Sequence, residues 1–123
     1  MTEEVYFFDS YAIMEMVYEN EDYKDYIYKS PSLTKLNLFE VFYHILRESG
    51  EEDADKVFQK YSPFAVDFGD EIIKESAKFR LEHKGRNMSM TDCIGYIISK
   101  KLGIKFLTGD KEFEDLENVE FVK

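Results

Sequence analysis

The sequence predicts an α/β fold, a three-layer α/β/α sandwich around a central, mostly parallel sheet of four to five short strands. Short apolar runs alternate with longer amphipathic segments along the whole chain of 123 residues, which is typical of strands joined by crossover helices. Apolar residues make up 44% of the chain and aromatic residues 16%, enough for one hydrophobic core. We therefore expect residues 1–123 to form a single domain.

The predicted strands are short apolar runs bounded by charged or turn residues. The first is the run VYFF at Val5–Phe8. A second run, at residues 33–36, fits either a brief strand or the first turn of a helix, and residues 64–68 alternate weakly. The remaining strands are expected at residues 104–107 and 119–122.

The predicted helices carry apolar residues at helical spacing between these runs. We expect them at residues 10–28, 38–48, 53–61, 70–84 and 89–102, with a short helical turn at residues 111–116. Their ends carry the usual signals. Ser89 is placed to cap the N-terminus of the last long helix, and Gly103 to end it.

The helix at residues 38–48 has two distinct faces at 100° per residue. Apolar residues gather on one face: Leu38, Phe39, Val41, Phe42, Ile45 and Leu46. Polar residues gather on the other: Glu40, His44, Arg47 and Glu48. The pattern predicts that the first face packs on the core and the second faces solvent.

The charge and cysteine content exclude some classes of protein. The net charge of −10 argues against a nucleic-acid binder held mainly by bulk positive charge, but not against an enzyme whose acids surround a metal ion. The single Cys93 cannot form an internal disulfide and fits a reducing cytoplasm. The start MTEEVYFF lacks a basic region, and no apolar stretch reaches the ~20 residues of a membrane helix. We therefore expect a cytoplasmic protein without a membrane association.

Four of the 26 acidic residues stand out by their positions. Asp9 and Asp110 each follow a predicted strand, Asp92 lies at a predicted helix N-terminus, and Glu40 lies in the helix at residues 38–48. Because the carboxyl ends of parallel strands share one edge of a sheet, and ligands bind at that edge, these acids can converge there.

Each acid also has an ordinary structural explanation. Asp9 can cap the following helix, and Glu40 can be a solvated residue on a polar face. Asp92 stands three residues after Ser89, which is the spacing of a capping-box variant. Asp110, in the segment TGD, can be a turn residue. These explanations weaken only when the four acids are considered together.

A cluster of carboxylates has a definite chemistry. Converging carboxylates repel each other and therefore require a cation. Oxygen ligands favour Mg²⁺ or Mn²⁺. Such an ion can activate a water and stabilise a leaving oxygen, so the pattern indicates hydrolysis of a phosphodiester.

The sequence resembles the PIN-domain family, metal-dependent ribonucleases that include the VapC-like toxins of toxin–antitoxin pairs. The resemblance rests on FFDSYAI near the start, LNLFEVFYHIL, and MTDCIGYIISKKLGIKFLTGDKEFEDLENVEFV. It covers nearly the whole chain, and the last segment is the most specific. It implies a PIN-like fold and cleavage of RNA by an activated water with Mg²⁺ or Mn²⁺. It also implies a homodimer and a small antitoxin protein as partner.

The resemblance also implies roles for individual residues. The acidic metal-binding and catalytic set would be Asp9, Glu40, Asp92 and Asp110. Ser10 and Thr108 would support that set through hydrogen bonds. A further acid after the last motif would be Asp115 or Glu114.

Two other functions remain open from the sequence. A non-catalytic PIN-like module would keep the fold and bind a partner protein. A receiver-type phosphoacceptor domain would need its phosphorylated acid after a middle strand, where Asp67 is the candidate, and an acidic pair after the first strand, where Ser10 follows Asp9 instead.

Three smaller features complete the sequence-based hypotheses. The tyrosine-rich segment YENEDYKDYIYKS at residues 18–30 can offer rings to RNA bases or form a protein interface. His44 can be a metal ligand or a polar-face residue. The stripe of Asp92, Gly95 and Ser99 has small side chains that allow close approach of a substrate or another helix.

Overall fold

A parallel sheet forms the central layer of the fold, as predicted. The structure is a computed structural model and describes residues 4–123. The strands are β1 (Val5–Phe8), β2 (Ser30–Ser32), β3 (Lys105–Thr108) and β4 (Val119–Phe121). They lie in the spatial order β2-β1-β3-β4, and each neighbouring pair is parallel.

Helices cover both faces of this sheet. They are α1 (Ser10–Val17), α2 (Lys35–Ser49), α3 (Glu51–Tyr61), α4 (Asp70–Glu82) and α5 (Met90–Leu102). Short 3₁₀ helices lie at Glu21–Tyr26, Ser62–Phe64 and Lys111–Phe113. Among the described residues 4–123, no helix is both long enough and apolar enough to cross a membrane.

The sheet separates two hydrophobic clusters, which confirms the three-layer architecture. Tyr6 and Phe8 of β1 pack into the cluster that includes residues of α1, α2 and α3. Phe7 points to the opposite face and stacks on Phe106 of β3, with ring centroids 5.7 Å apart, in a cluster with residues of α5. Because β1 is buried on both sides, it can be an apolar run without polar alternation.

Several predicted boundaries were wrong, among them the start of α2, which was expected at residue 38 and lies at Lys35. The helix expected at residues 10–28 ends at Val17, and the segment continues after Asn20, which caps the 3₁₀ helix at Glu21–Tyr26 by accepting a hydrogen bond from the Asp22 N–H. Of the two interpretations of residues 33–36, the brief strand was wrong and the first turn of a helix was right, since α2 begins at Lys35. The real strand is β2, three residues earlier, because Thr34 already caps α2.

The apolar face predicted for α2 is only partly buried. Leu38, Val41 and Ile45, at i, i+3 and i+7, pack in the core. Phe39 and Leu46 were predicted to be buried but are exposed, Phe39 by 72%. They lie on the flanks of the buried stripe, so contact through the stripe leaves them on the surface.

Gly95 lets α5 lie close against the sheet. A Cβ atom added there would stand 2.6 Å from Cε1 of Phe7 and 3.2 Å from Cε1 of Phe106. Both rings are fully buried and have no free space to move into. At Gly95, the small side chain in the stripe on α5 therefore allows the helix to approach the sheet.

We predict that Gly95→Ala destabilises the fold. Alanine favours a helix by ~1 kcal/mol over glycine, but overpacking against the two rings should outweigh this gain, for a net loss of about 1–2 kcal/mol. Urea unfolding of both proteins measures the difference. Gly85→Ala is the matched control, since a Cβ at Gly85 meets nothing within 4 Å; an equal stability of Gly95→Ala and the native chain would contradict the packing argument.

Candidate functional site

A cleft of about 380 Å³ opens at the carboxyl edge of the sheet. It contains all four of the acids singled out from the sequence. Its lining residues are Asp9, Ser10, Tyr11, Met14, Glu15, Glu40, Val41, His44, Ser89, Asp92 and Asp110. The site combines the ends of β1 and β3 with the first turns of α1 and α5 and one face of α2.

Asp9 follows β1 directly and is 1% exposed. Its Oδ1 accepts a hydrogen bond of 2.7 Å from the Ala12 N–H, so the residue does cap α1. Burial raises the pKa of Asp9 well above its ordinary value, a hydrogen bond from Thr108 opposes this rise, and the charge of Asp92 adds to it. The helix-cap role and the cleft position therefore belong to the same carboxylate.

Asp110 is held at the cleft by the turn that follows β3. Its backbone N–H donates to the Thr108 Oγ1 at 3.0 Å. Its Oδ1 in turn accepts a hydrogen bond from the Glu112 N–H at 3.0 Å, which caps the 3₁₀ helix at Lys111–Phe113. Thr108 is fully buried, so the turn is anchored from inside the sheet.

The turn also requires a glycine at its centre. A Cβ atom at Gly109 would overlap the ring of Tyr11 and come within 2.6 Å of the Val122 carbonyl oxygen. Any larger residue would displace α1 or the chain after β4. In the segment TGD, packing therefore restricts the middle position to glycine, and the third position supplies the acid of the cleft.

Glu40 reaches the cleft from α2 and is held by a chain of hydrogen bonds. Ser10 Oγ donates to Glu40 Oε1 at 2.6 Å. Asn37 Nδ2 donates to Ser10 Oγ at 3.0 Å. Asn37 is 1% exposed and shares a capping box with Thr34 at the start of α2. Asn37 was not predicted from the sequence, although the spacing of Thr34 and Asn37 is the signal of such a box.

Asp92 lies in the first turn of α5 and is half-buried. Its backbone N–H donates to Ser89 Oγ at 3.0 Å, so Ser89 is the N-cap, as predicted. Burial is the main cause that raises the pKa of Asp92 from 3.8 to about 6; hydrogen bonding with Ser89 opposes the rise, and the charges of Glu40 and Asp110 add to it. The side chain thus lies in the field of two other acids of the cleft.

Three acids named from the sequence lie elsewhere, among them Glu114, which is exposed and does not line the cleft. Both carboxylate oxygens of Asp115 accept hydrogen bonds from Arg86, at 2.7 and 3.0 Å, and its side chain is exposed. The structure therefore does not bring Asp115 to the cleft. Asp67, the candidate phosphoacceptor, is exposed, follows none of the four strands and does not line the cleft.

Glu15, Tyr11 and Met14 line the cleft and were not predicted to do so. They lie on one side of α1, because the helix places residues three and four apart beside each other. Glu15 Oε2 accepts a hydrogen bond of 2.8 Å from Asn20 Nδ2. The sequence signal was present in the i, i+3 and i+4 spacing but was not distinguishable from an ordinary amphipathic helix.

The donor set of the cleft fits a hard divalent cation in its chemistry. Of the described residues 4–123, none that lines the cleft is Lys or Arg, so the four predicted acids and Glu15 share the space without a Lys or Arg partner. The side chains do not yet form a coordination sphere, since no group of three His, Cys, Asp or Glu residues in this range stands close enough to hold one ion. Repulsion among uncompensated carboxylates gives a physical reason for that separation.

The fold and the cleft define a class of protein, parallel α/β sandwiches that collect carboxylates at the carboxyl edge of the sheet. The family model of the PIN domain matches residues 6–119. This chain belongs to the PIN-domain family. A comparison with the sequences of curated proteins gave no significant match.

Solved structures with a similar fold come from bacteria. A toxin–antitoxin complex from Klebsiella pneumoniae contains a chain with 17% identity and a TM-score of 0.71, covering 93% of this chain and 94% of that one. VapBC2 from Rickettsia felis, bound to a promoter DNA fragment, has a chain with 14% identity and a TM-score of 0.74; the match covers 97% of this chain and 99% of that one. DNA-bound VapBC from Salmonella typhimurium has a chain with 15% identity and a TM-score of 0.73; the match covers 98% of this chain and 97% of that one. At these identities the likeness is one of fold.

We predict that Asp92→Asn stabilises the metal-free protein at pH 8. The pKa of Asp92 is raised in the folded state, so the folded protein binds the proton more tightly and loses stability as the pH rises from about 4 through about 6. An amide avoids that loss, worth about 1–3 kcal/mol. Urea unfolding in EDTA at pH 8 and pH 4 measures the gain, which should shrink at pH 4.

The control for this experiment is Asp67→Asn, which changes an exposed acid outside the cleft. It should show no comparable gain at pH 8. If Asp92→Asn has no higher free energy of unfolding than the native chain at pH 8, or if the difference grows toward pH 4, the carboxylate is not destabilised by its surroundings.

Proposed function

We propose that this protein is a metal-dependent endoribonuclease that hydrolyses RNA phosphodiester bonds. One observation carries the proposal: Asp9, Glu40, Asp92 and Asp110 line one cleft that no Lys or Arg among the described residues also lines. Carboxylates in this arrangement are costly unless a cation joins them. Membership of the PIN-domain family supports the same reading.

The four acids would hold Mg²⁺ or Mn²⁺, which supplies an activated water and charge stabilisation for the leaving oxygen. The chain itself sets the positions of these acids. Ser10 orients Glu40 through its 2.6 Å hydrogen bond, and Thr108 holds the backbone of Asp110. These contacts position the Glu40 carboxylate and the Asp110 backbone before substrate binds, and catalysis by positioned charges requires such preorganisation.

The biological role that we propose is that of a VapC-like toxin with a small antitoxin as partner. The similar solved chains belong to toxin–antitoxin complexes, which supports this role. Exposed apolar side chains support assembly, including a homodimer, since monomers rarely expose such groups together. On α2 these are Phe39, Tyr43 and Leu46, and Phe58 of α3 lies beside them.

The alternative functions are less well supported. A receiver-type domain is disfavoured because Asp67 follows none of the described strands and lies outside the cleft. A non-catalytic module would have no need to gather Asp9, Glu40, Asp92 and Asp110 in one cleft.

We predict that Asp110→Asn reduces the rate of Mn²⁺-dependent cleavage of an RNA pool by at least 100-fold. The substitution removes the negative charge of one of the four carboxylates that would hold the cation. It should also reduce the rise in Tm that Mn²⁺ gives the native protein, since a ligand that binds only the folded state stabilises it. Gel analysis of cleaved RNA and thermal unfolding with and without Mn²⁺ measure the two effects.

Asp115→Asn is the matched control, because Asp115 is an exposed acid paired with Arg86 outside the cleft. It should retain both cleavage and the Mn²⁺-dependent rise in Tm. Unchanged cleavage by Asp110→Asn would sink the proposed active site, whereas unchanged Mn²⁺ stabilisation with lost cleavage would restrict Asp110 to a role in substrate chemistry.

A further inference from the structure

The cleft lacks the side chains that usually hold RNA. Nucleic-acid binding at a protein surface normally rests on Lys and Arg contacts to phosphates. No residue of that kind, within residues 4–123, lines the cleft. Arg80, Lys84 and Arg86 line a different groove, between α4 and α5. Inside the acidic cleft, binding energy must therefore come from contacts other than ion pairs with Lys or Arg.

Aromatic side chains lie in the cleft and beside it. Tyr11 of α1 lines the cleft, and Tyr18, seven residues later, is the C-cap residue of the same helix. His44 lines it from α2. The hydroxyl of Tyr18 is 2.9 Å from His44 Nε2, and the two rings meet edge to face at 6.2 Å. This contact joins Tyr18 to a residue of the cleft wall.

Tyr18 keeps a free ring surface despite that hydrogen bond, with 56% of the residue exposed. The hydrogen bond holds the ring in one orientation, so little conformational freedom is lost when a flat partner binds to it. An aromatic ring stacks on any base without requiring positive charge. This mode of binding suits a cleft whose own charges are negative.

The other tyrosines of the segment at residues 18–30 are not placed for this role. Tyr23 is fully buried. Tyr26 is partly buried and donates a hydrogen bond to Glu120 Oε2. Tyr28 is 80% exposed but precedes β2, whose first residue pairs with Val5 at the amino-terminal end of the sheet. Tyr28 therefore lies at the edge opposite to Asp9.

We propose that Tyr18, oriented by His44, is the base-stacking residue of the cleft and that it selects RNA with an unpaired base beside the scissile phosphate. The inference rests on the proposed ribonuclease function and adds a specificity-determining residue to it. A base inside a duplex is stacked on its neighbours and cannot reach the ring. The substrate is then held by the bound cation and by stacking, with few phosphate contacts to Lys or Arg.

The test compares Tyr18→Ala, Tyr18→Phe and the matched control Tyr28→Ala on a short RNA, single-stranded or annealed to its complement. With Mn²⁺ present, Tyr18→Ala should raise KM about tenfold and change kcat less than twofold. Tyr18→Phe keeps the ring and should stay within threefold, and Tyr28→Ala should match the native protein. The annealed RNA should be cleaved poorly by all four proteins, with no added loss for Tyr18→Ala.

Binding of the same single-stranded RNA, followed by fluorescence anisotropy with Ca²⁺ in place of Mn²⁺, separates the two levels of the proposal. We expect Tyr18→Ala to weaken binding about tenfold. We also expect the logarithm of the RNA association constant to fall by less than about 2 for each tenfold rise in salt concentration. Proteins with many phosphate contacts show a fall of about 5 or more over the same range.

Three outcomes would overturn the inference. Cleavage that depends on Asp110 with an unchanged KM for Tyr18→Ala leaves the ribonuclease function standing and removes Tyr18 from it. A steep salt dependence assigns the RNA to a cationic surface instead. If the native protein neither binds nor cleaves the RNA while an antitoxin protects Tyr18 from chemical modification, both the function and the stacking role are wrong, and the wall is a protein interface.

Discussion

The parallel pairing of β1 with β3 is the contact on which the site depends. Phe8 stands opposite Leu107 in this register, and the Asp9 N–H continues the ladder by donating to the Leu107 carbonyl oxygen at 3.2 Å. The two strands therefore end together, and the residues that follow them emerge side by side. A shift of one residue in either strand would turn its buried aromatic residues to the wrong face and would separate Asp9 from Asp110.

The acids of the cleft are also structural elements of the fold. Asp9 caps α1, Asp110 caps a 3₁₀ helix, and Ser10 joins α1 to α2 through Glu40. Each of these contacts offsets part of the cost of placing a carboxylate in a confined space. The opposing effects are visible at Asp9, where burial raises the pKa and two hydrogen bonds lower it. Stability and the site are therefore coupled through the same side chains.

The sequence was most informative where local and long-range signals agreed. The bounds of β1 were predicted to the residue, and α5 within one residue, because an apolar run or a pair of caps marked each end. The four acids could be grouped because parallel topology places strand ends together. By contrast, β2 is the run SPS, which carries no strand propensity and forms only because β1 offers a free edge. Asn37 and the cleft face of α1 depend on tertiary contacts that helical periodicity alone does not specify.

The absence of Lys and Arg from the lining of the cleft, among the described residues, has a thermodynamic consequence. A phosphate group that enters a space lined by Asp9, Glu40, Asp92 and Asp110 is repelled by their charges until a divalent cation has reversed the local charge. Cation and polyanion would thus bind with positive cooperativity, and by linkage each would raise the affinity for the other by the same factor. The concentration of free divalent metal would then govern how much substrate the protein holds, as well as how fast it reacts.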